Sequence, residues 1–209
     1  MLSARSVREA ALGEVTRPVS LAGEQSLPVL PALQGLLPGG VLRRGSTVAV
    51  VGSTSLALAL AAAPSATGSW CAAVGLPSLG LVAVAELGVD LDRLALVREP
   101  GESWPAVVAA LLDALDVVVV RPPGPVRSPH VRRLAARARE RGAVLVAACS
   151  WEGADVCLGV TGSEWHGLGA GHGHLRSRRL EVTSRGRGAA VRPRHAGVWL
   201  PPSPPETCA

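Results

Sequence analysis

The chain contains no lysine: all 21 of its basic residues are arginine. That absence excludes a Schiff-base mechanism, and it excludes the lysine of a phosphate-binding loop anywhere in the 209 residues. Phenylalanine and tyrosine are missing too, so five tryptophans are the only large aromatic side chains, and platforms for stacking nucleic-acid bases are scarce. The four cysteines, Cys71, Cys149, Cys157 and Cys208, show no CxxC spacing, which points to reduced thiols in a cytosolic protein. No charged, apolar and small-residue signal opens the sequence. The longest apolar run, residues 56–63, ends at Pro64 and is far shorter than the ~20 residues of a membrane helix, so no membrane association is expected.

What is present is 48% hydrophobic and long enough for one sizeable core. Ala, Val, Leu, Gly, Pro and Arg dominate, the imprint of a GC-rich coding bias. A net charge of +5 permits an acidic partner, but an arginine bias imposed by codons gives the same number, so charge alone assigns none.

The pattern divides the chain into an N-terminal arm (1–30) with one short helical stretch, a core (31–200) and a proline-rich tail (201–209). Within the core, apolar strands alternate with helices: strand 47–51, helix 54–63, strand 70–74, helix 78–87, strand 94–97, helix 103–114, strand 116–120, helix 129–141 and strand 143–148. Such alternation predicts an α/β fold, a mostly parallel sheet flanked by helices. After Trp151 the helical periodicity stops. "ADVCLGV", "HLRSRRLEVTSRGRGAAVRP" and "HAGVWLP" read as antiparallel strands, with "SRGRG" as a hairpin turn.

"TVAVVGSTSLALALAAA", residues 47–63, reads as a buried strand, a glycine turn and a helix start, which is how a phosphate-binding loop begins. A loop of the form Gly-x-x-x-x-Gly-Lys-Ser/Thr starting at Gly52 would place its second glycine at 57, its lysine at 58 and its hydroxyl at 59. The chain has Ala57, Leu58 and Ala59. Gly52 with Ser53, Thr54 and Ser55 could still form an anion nest; the simpler reading is a helix capped by Ser53 or Thr54, with Leu56, Leu58 and Leu60 packing.

Three further stretches carry alternatives. "HVRRLAARARERG" (130–142) is a helix whose Leu134 and Ala138 can face the sheet, leaving Arg132, Arg133 and Arg137 as phosphate contacts or as a solvated face. "WHGLGAGHGHLRSRR" brings His166, His172 and His174 into a glycine-rich stretch, read as a loop rather than a metal site because no Cys, Asp or Glu has ligand spacing beside them. Val198, Trp199 and Leu200 either complete the core as a last strand or seat a partner beside the proline-rich tail.

The order of elements resembles the RecA recombinase core over residues 30–200. "LLPGGVLRRGSTVAVVG" (36–52) is similar to that family's approach to the phosphate loop, and "LGVDLDRLALVREPGE" (87–102) to the segment around its third strand. "ALDVVVVRPP" (114–123) resembles the Walker B strand and "RRLEVTSRGRG" the late hairpin. Carried over residue by residue, the resemblance puts the Walker A lysine at Leu58, the hydroxyl at Ala59, the Walker B acid at Arg121 and the water-orienting residue near Leu76. A degenerate RecA-like chain of this size resembles the ImuA family, and its actinobacterial ImuA-prime branch most.

That resemblance implies a non-enzymatic accessory protein of the mutasome, the translesion synthesis machinery of the SOS response to DNA damage. It implies no cofactor and a cytoplasmic place, associated with the nucleoid during repair. The implied partners are ImuB, an inactive Y-family polymerase homologue, and through it an error-prone C-family polymerase and the sliding clamp. Loops late in the RecA fold can face DNA, so Arg176, Arg178 and Arg179 join the α-helical arginines as weak, non-specific DNA contacts. The alternatives are a SulA-like division inhibitor of RecA-derived fold and a divergent ATPase holding nucleotide through backbone alone.

Overall fold

Four consecutive valines, Val117–Val120, are fully buried on both sides, and such a strand is stable only with helices on each face of its sheet. The computed structural model describes residues 26–168 and 173–202; most of the expected arm and tail lies outside them. A short pair, β1 (Ser26–Leu27) with β2 (Leu42–Arg43), brackets a one-turn helix, α1 (Pro31–Gln34). The main sheet holds β3 (Thr47–Val51), β4 (Cys71–Val74), β5 (Leu94–Val97), β6 (Val117–Val120), β7 (Val144–Ala147), β8 (Val156–Leu168), β9 (Gly173–Gly186) and β10 (Arg194–Leu200). Its order is β10-β9-β8-β3-β7-β6-β4-β5. From β8 to β5 every pairing is parallel; β9 and β10 are antiparallel additions.

Handedness then assigns the faces. The steps β3 to β4 and β4 to β5 run in one direction, so right-handed crossovers put α2 (Thr54–Ala66) and α3 (Leu81–Glu86) on one face. The steps β5 to β6 and β6 to β7 run back, and place α4 (Trp104–Ala114) and α5 (Ser128–Arg141) on the other. Two cores follow from the period-two alternation of the strands: Val48, Val50, Val117 and Val119 pack with Leu56 and Leu60, whereas Ala49, Val118 and Val120 pack with Val108, Leu112 and Leu134.

The parallel half matches its sequence periodicity closely, and Leu134 and Ala138 do face the sheet. Helix α2 runs past the expected stop at Pro64 to Ala66, with Pro64 in its last turn. The antiparallel half differs more. Residues 165–168, read as part of a glycine-rich loop, belong instead to a long β8–β9 hairpin with irregularities between Val160 and Gly162 and between His166 and Leu168. Gly167, at φ +114°, serves that bulge, where a side chain would meet the His174 carbonyl. "SRGRG" is not a tight turn either. β9 continues to Gly186, which lies so close to the Asp155 carbonyl that only glycine fits, and the chain turns through a 3-10 segment at Gly188–Ala190.

Polar groups tie the elements at their ends. Asp116 accepts from Arg44 at 2.8 Å and from the Trp70 backbone at 3.1 Å, and Asp155 accepts from the Thr47 backbone at 2.8 Å. Asp113 on α4 takes a two-pronged contact from Arg137 on α5, with Arg141 beside it.

Two predictions follow from these contacts. Gly75, at φ +74°, crosses against the Arg121 carbonyl where any Cβ would collide with backbone. Gly75→Ala is expected to cost about 2 kcal/mol or more in urea unfolding, and a loss under ~0.5 kcal/mol would contradict the geometry. The hydrogen bond from Arg137 holds the Asp113 carboxyl below its ordinary value, with Arg141 adding to it. A depressed carboxylate stabilises the fold above the usual range near pH ~4, and that contribution fades as pH falls through the folded value. Asp113→Asn therefore lowers stability at neutral pH and loses its effect in acid; a difference constant down to low pH would refute the pairing.

Candidate functional site

In open parallel sheets ligands sit beyond the carboxyl ends of the strands, and here that edge carries the loops after β3, β4 and β6. After β3 the chain turns at Gly52, whose φ of +93° favours glycine and where a Cβ would crowd the Val160 side chain at 3.1 Å. Ser53 then caps α2: its hydroxyl accepts from the Leu56 N–H at 3.1 Å and lies 3.0 Å from the Ser55 hydroxyl. Ala57, Leu58 and Ala59 are all buried, Leu58 at 3% exposure, so the first turns of this helix present aliphatic groups where a phosphate loop presents a cation and a hydroxyl.

Arg121 follows the valines of β6. Its guanidinium donates to the Thr54 hydroxyl at 3.2 Å, bridging the end of β6 to the start of α2. Leu76, after β4, is buried nearby. Thr54, Leu58, Leu76 and Arg121 line one cleft of about 400 Å³. Three of the positions where the RecA resemblance places nucleotide chemistry thus do converge in space, and they carry a leucine, a leucine and an arginine.

The opposite wall comes from the β8–β9 hairpin and the end of β10: Trp165, Leu175, Arg176, Arg178, Leu200 and Pro201. Trp165 and Leu175 are exposed at 55% and 52%, and the Arg178 guanidinium sits 5.1 Å over the Trp165 ring. Strand register explains the grouping, since Trp165 is opposite Arg178 on β9 and Arg178 is opposite Leu200 on β10, all on one face. Neither Trp165 nor Leu175 stood out in the sequence, because the glycines around them hid the two-residue alternation of a strand.

Other expected residues scatter. Arg179 points to the opposite face and pairs with Glu181 at 3.0 Å. Arg132, Arg133 and Arg137 sit on α5, across the sheet from the cleft, and Arg137 is engaged by Asp113 and Glu140. The six arginines therefore form no single stripe. Val198 and Leu200 complete the core, whereas Trp199 lies half-buried on the far face with its ring 4.7 Å from that of His166. The Val198, Trp199 and Leu200 cluster is thus split between two faces. His174 is exposed on β9, and His172 is outside the described residues.

The chemistry of the cleft is limited. Among the described residues no group of His, Cys, Asp and Glu is placed to hold a metal, and the cleft lining offers Glu86 as its carboxylate and no imidazole. Burial pushes the Cys71 thiol up to about 12 and raises that of Cys149 as well, with Arg121 opposing the second shift, so both thiols stay protonated. The cleft lining combines an aliphatic floor, an aromatic wall and three guanidinium groups.

No helix among the described residues is long and apolar enough to cross a membrane. Residues 35–153 match a protein family described as the MT3502 N-terminal domain. That span contains Leu58, Leu76 and Arg121 and stops before β8, so it covers the floor of the cleft and not its hairpin wall. The chain is also 36% identical over 163 residues to Rv3395c of Mycobacterium tuberculosis strain H37Rv, a protein described as uncharacterized, with 73% of this chain and 80% of the mycobacterial one covered. With more than half of its length inside the matched span, the chain belongs to the MT3502 N-terminal domain family.

Proposed function

We propose that this protein is a non-catalytic, RecA-like adaptor of the translesion synthesis mutasome, one that binds an inactive Y-family polymerase homologue and, through it, an error-prone C-family polymerase and the sliding clamp. The observation that carries the reading is the contact between Arg121 and Thr54 above a buried Leu58. It lies where a RecA-type ATPase needs a carboxylate for its metal ion and a cation for the phosphates. Loss of any one such group removes several kcal/mol of electrostatic stabilisation, and here all are replaced together.

The segments that resemble RecA occupy fitting places. "ALDVVVVRPP" contains the central strand β6, and "LGVD" (87–90) forms the turn into β5, with Asp90 accepting from the Asp92 backbone at 3.0 Å. A scaffold that keeps this frame without its nucleotide chemistry retains surfaces on which other proteins can dock. The scattered arginines favour at most weak, salt-sensitive contact with DNA phosphates.

Two measurements test the reading. Titration calorimetry with Mg·ATP is expected to show no binding tighter than about 1 mM, and a micromolar dissociation constant would favour the divergent ATPase instead. Co-expression with the inactive Y-family polymerase homologue of the same genome is expected to give a stable complex through gel filtration; separate elution of the two folded proteins would refute the adaptor assignment.

A further inference from the structure

The cleft at the carboxyl edge of the sheet has a division of labour in its lining. Its floor is buried and aliphatic, with Leu58, Leu76 and Val84. Its rim is exposed and carries Trp165 and Leu175 together with Arg121, Arg176 and Arg178. Against those three cations the described lining sets one carboxylate, Glu86. The Nε of Arg178 is shielded from solvent and has no hydrogen-bond partner, while its guanidinium lies over the Trp165 ring on the cleft wall.

From this geometry we infer that the cleft is a docking groove for a short acidic segment of a partner protein, with one or two large apolar side chains on the leucine floor and flanking carboxylates on Arg121, Arg176 and Arg178. The inference rests on the adaptor reading and specifies the chemistry of the partner. About 400 Å³ is at the small end of ligand-sized pockets, room for a few side chains of a linear segment rather than for a folded surface. Charge complementarity selects acidic over basic segments, and carboxylates pair with guanidinium groups through two parallel hydrogen bonds. A nucleic-acid strand fits less well, since the floor is aliphatic and the described lining offers one aromatic ring for stacking.

The test begins without any assumption about the partner. A random twelve-residue peptide library displayed on phage is selected on the full chain alone, with no selection on any variant. The best peptide is then synthesised with a fluorescent label and titrated by anisotropy. Expected are peptides that combine Leu, Trp, Phe or Met with two or more Asp or Glu, whose affinity drops about tenfold or more on Arg176→Glu/Arg178→Glu and on Leu175→Asp. Trp199→Ala, on the far face, is expected to bind as the wild type does, and circular dichroism checks that every variant is folded. Peptides lacking acidic residues, or binding equally well to the groove variants, overturn the inference.

So do three other results. Tight binding of labelled oligo-dT that the groove variants abolish would assign the cleft to nucleic acid. Dimerisation lost in the same variants would assign it to a second copy. A tenfold gain in peptide affinity on deleting residues 203–209 would assign it to this chain's own tail. The purified Y-family homologue separates the two levels. If it binds the wild type and the groove variants alike, the groove inference falls and the adaptor reading stands. If peptides discriminate while the homologue does not bind, the chemistry of the groove stands and the mutasome assignment falls.

Discussion

Burial of the central parallel strands on both faces is the constraint from which the rest of the molecule follows. β4, β6 and β7 expose nothing on either side, so helices must cover both faces and no polar group can act from the sheet itself. Side chains able to meet a ligand are thereby confined to the strand ends, where the loops after β3, β4 and β6 converge on one cleft. The antiparallel β8–β9 hairpin extends beyond that edge and gives the cleft its second wall.

The same constraint bears on the proposed absence of nucleotide chemistry. Leu58 belongs to the core cluster on the α2 face, and burying a leucine side chain stabilises a fold by about 1.5–3 kcal/mol. A lysine in that environment would have to lose its charge or find a partner, and Arg121, a like charge, lines the same cleft. A buried Leu58 beside Arg121 therefore suits this cleft better than a lysine at position 58 would.

Much of this was legible in the sequence where local periodicity and tertiary environment agree. The valines of β6, the Ser53 cap and the sheet-facing pair Leu134 and Ala138 all follow from local rules, as does the mismatch at positions 57–59. The extension of the hairpin beyond Val160 was not legible, because Gly162 and Gly167 look like loop residues and instead flank or occupy its irregularities. Nor could a one-dimensional reading show that Arg137 is held by Asp113, on a different helix. The cleft wall at Trp165 and Leu175 depends on strand register across the hairpin, which no single segment encodes.

If the cleft has exchanged nucleotide chemistry for docking, nucleotide and partner should be thermodynamically uncoupled, since a ligand without differential affinity shifts no equilibrium. The direct measurement is calorimetric titration of the Y-family homologue into this protein, with and without saturating Mg·ATP. Docking without nucleotide chemistry gives the same dissociation constant in both conditions. A complex that forms only with Mg·ATP, or whose affinity moves about tenfold with it, would contradict that claim.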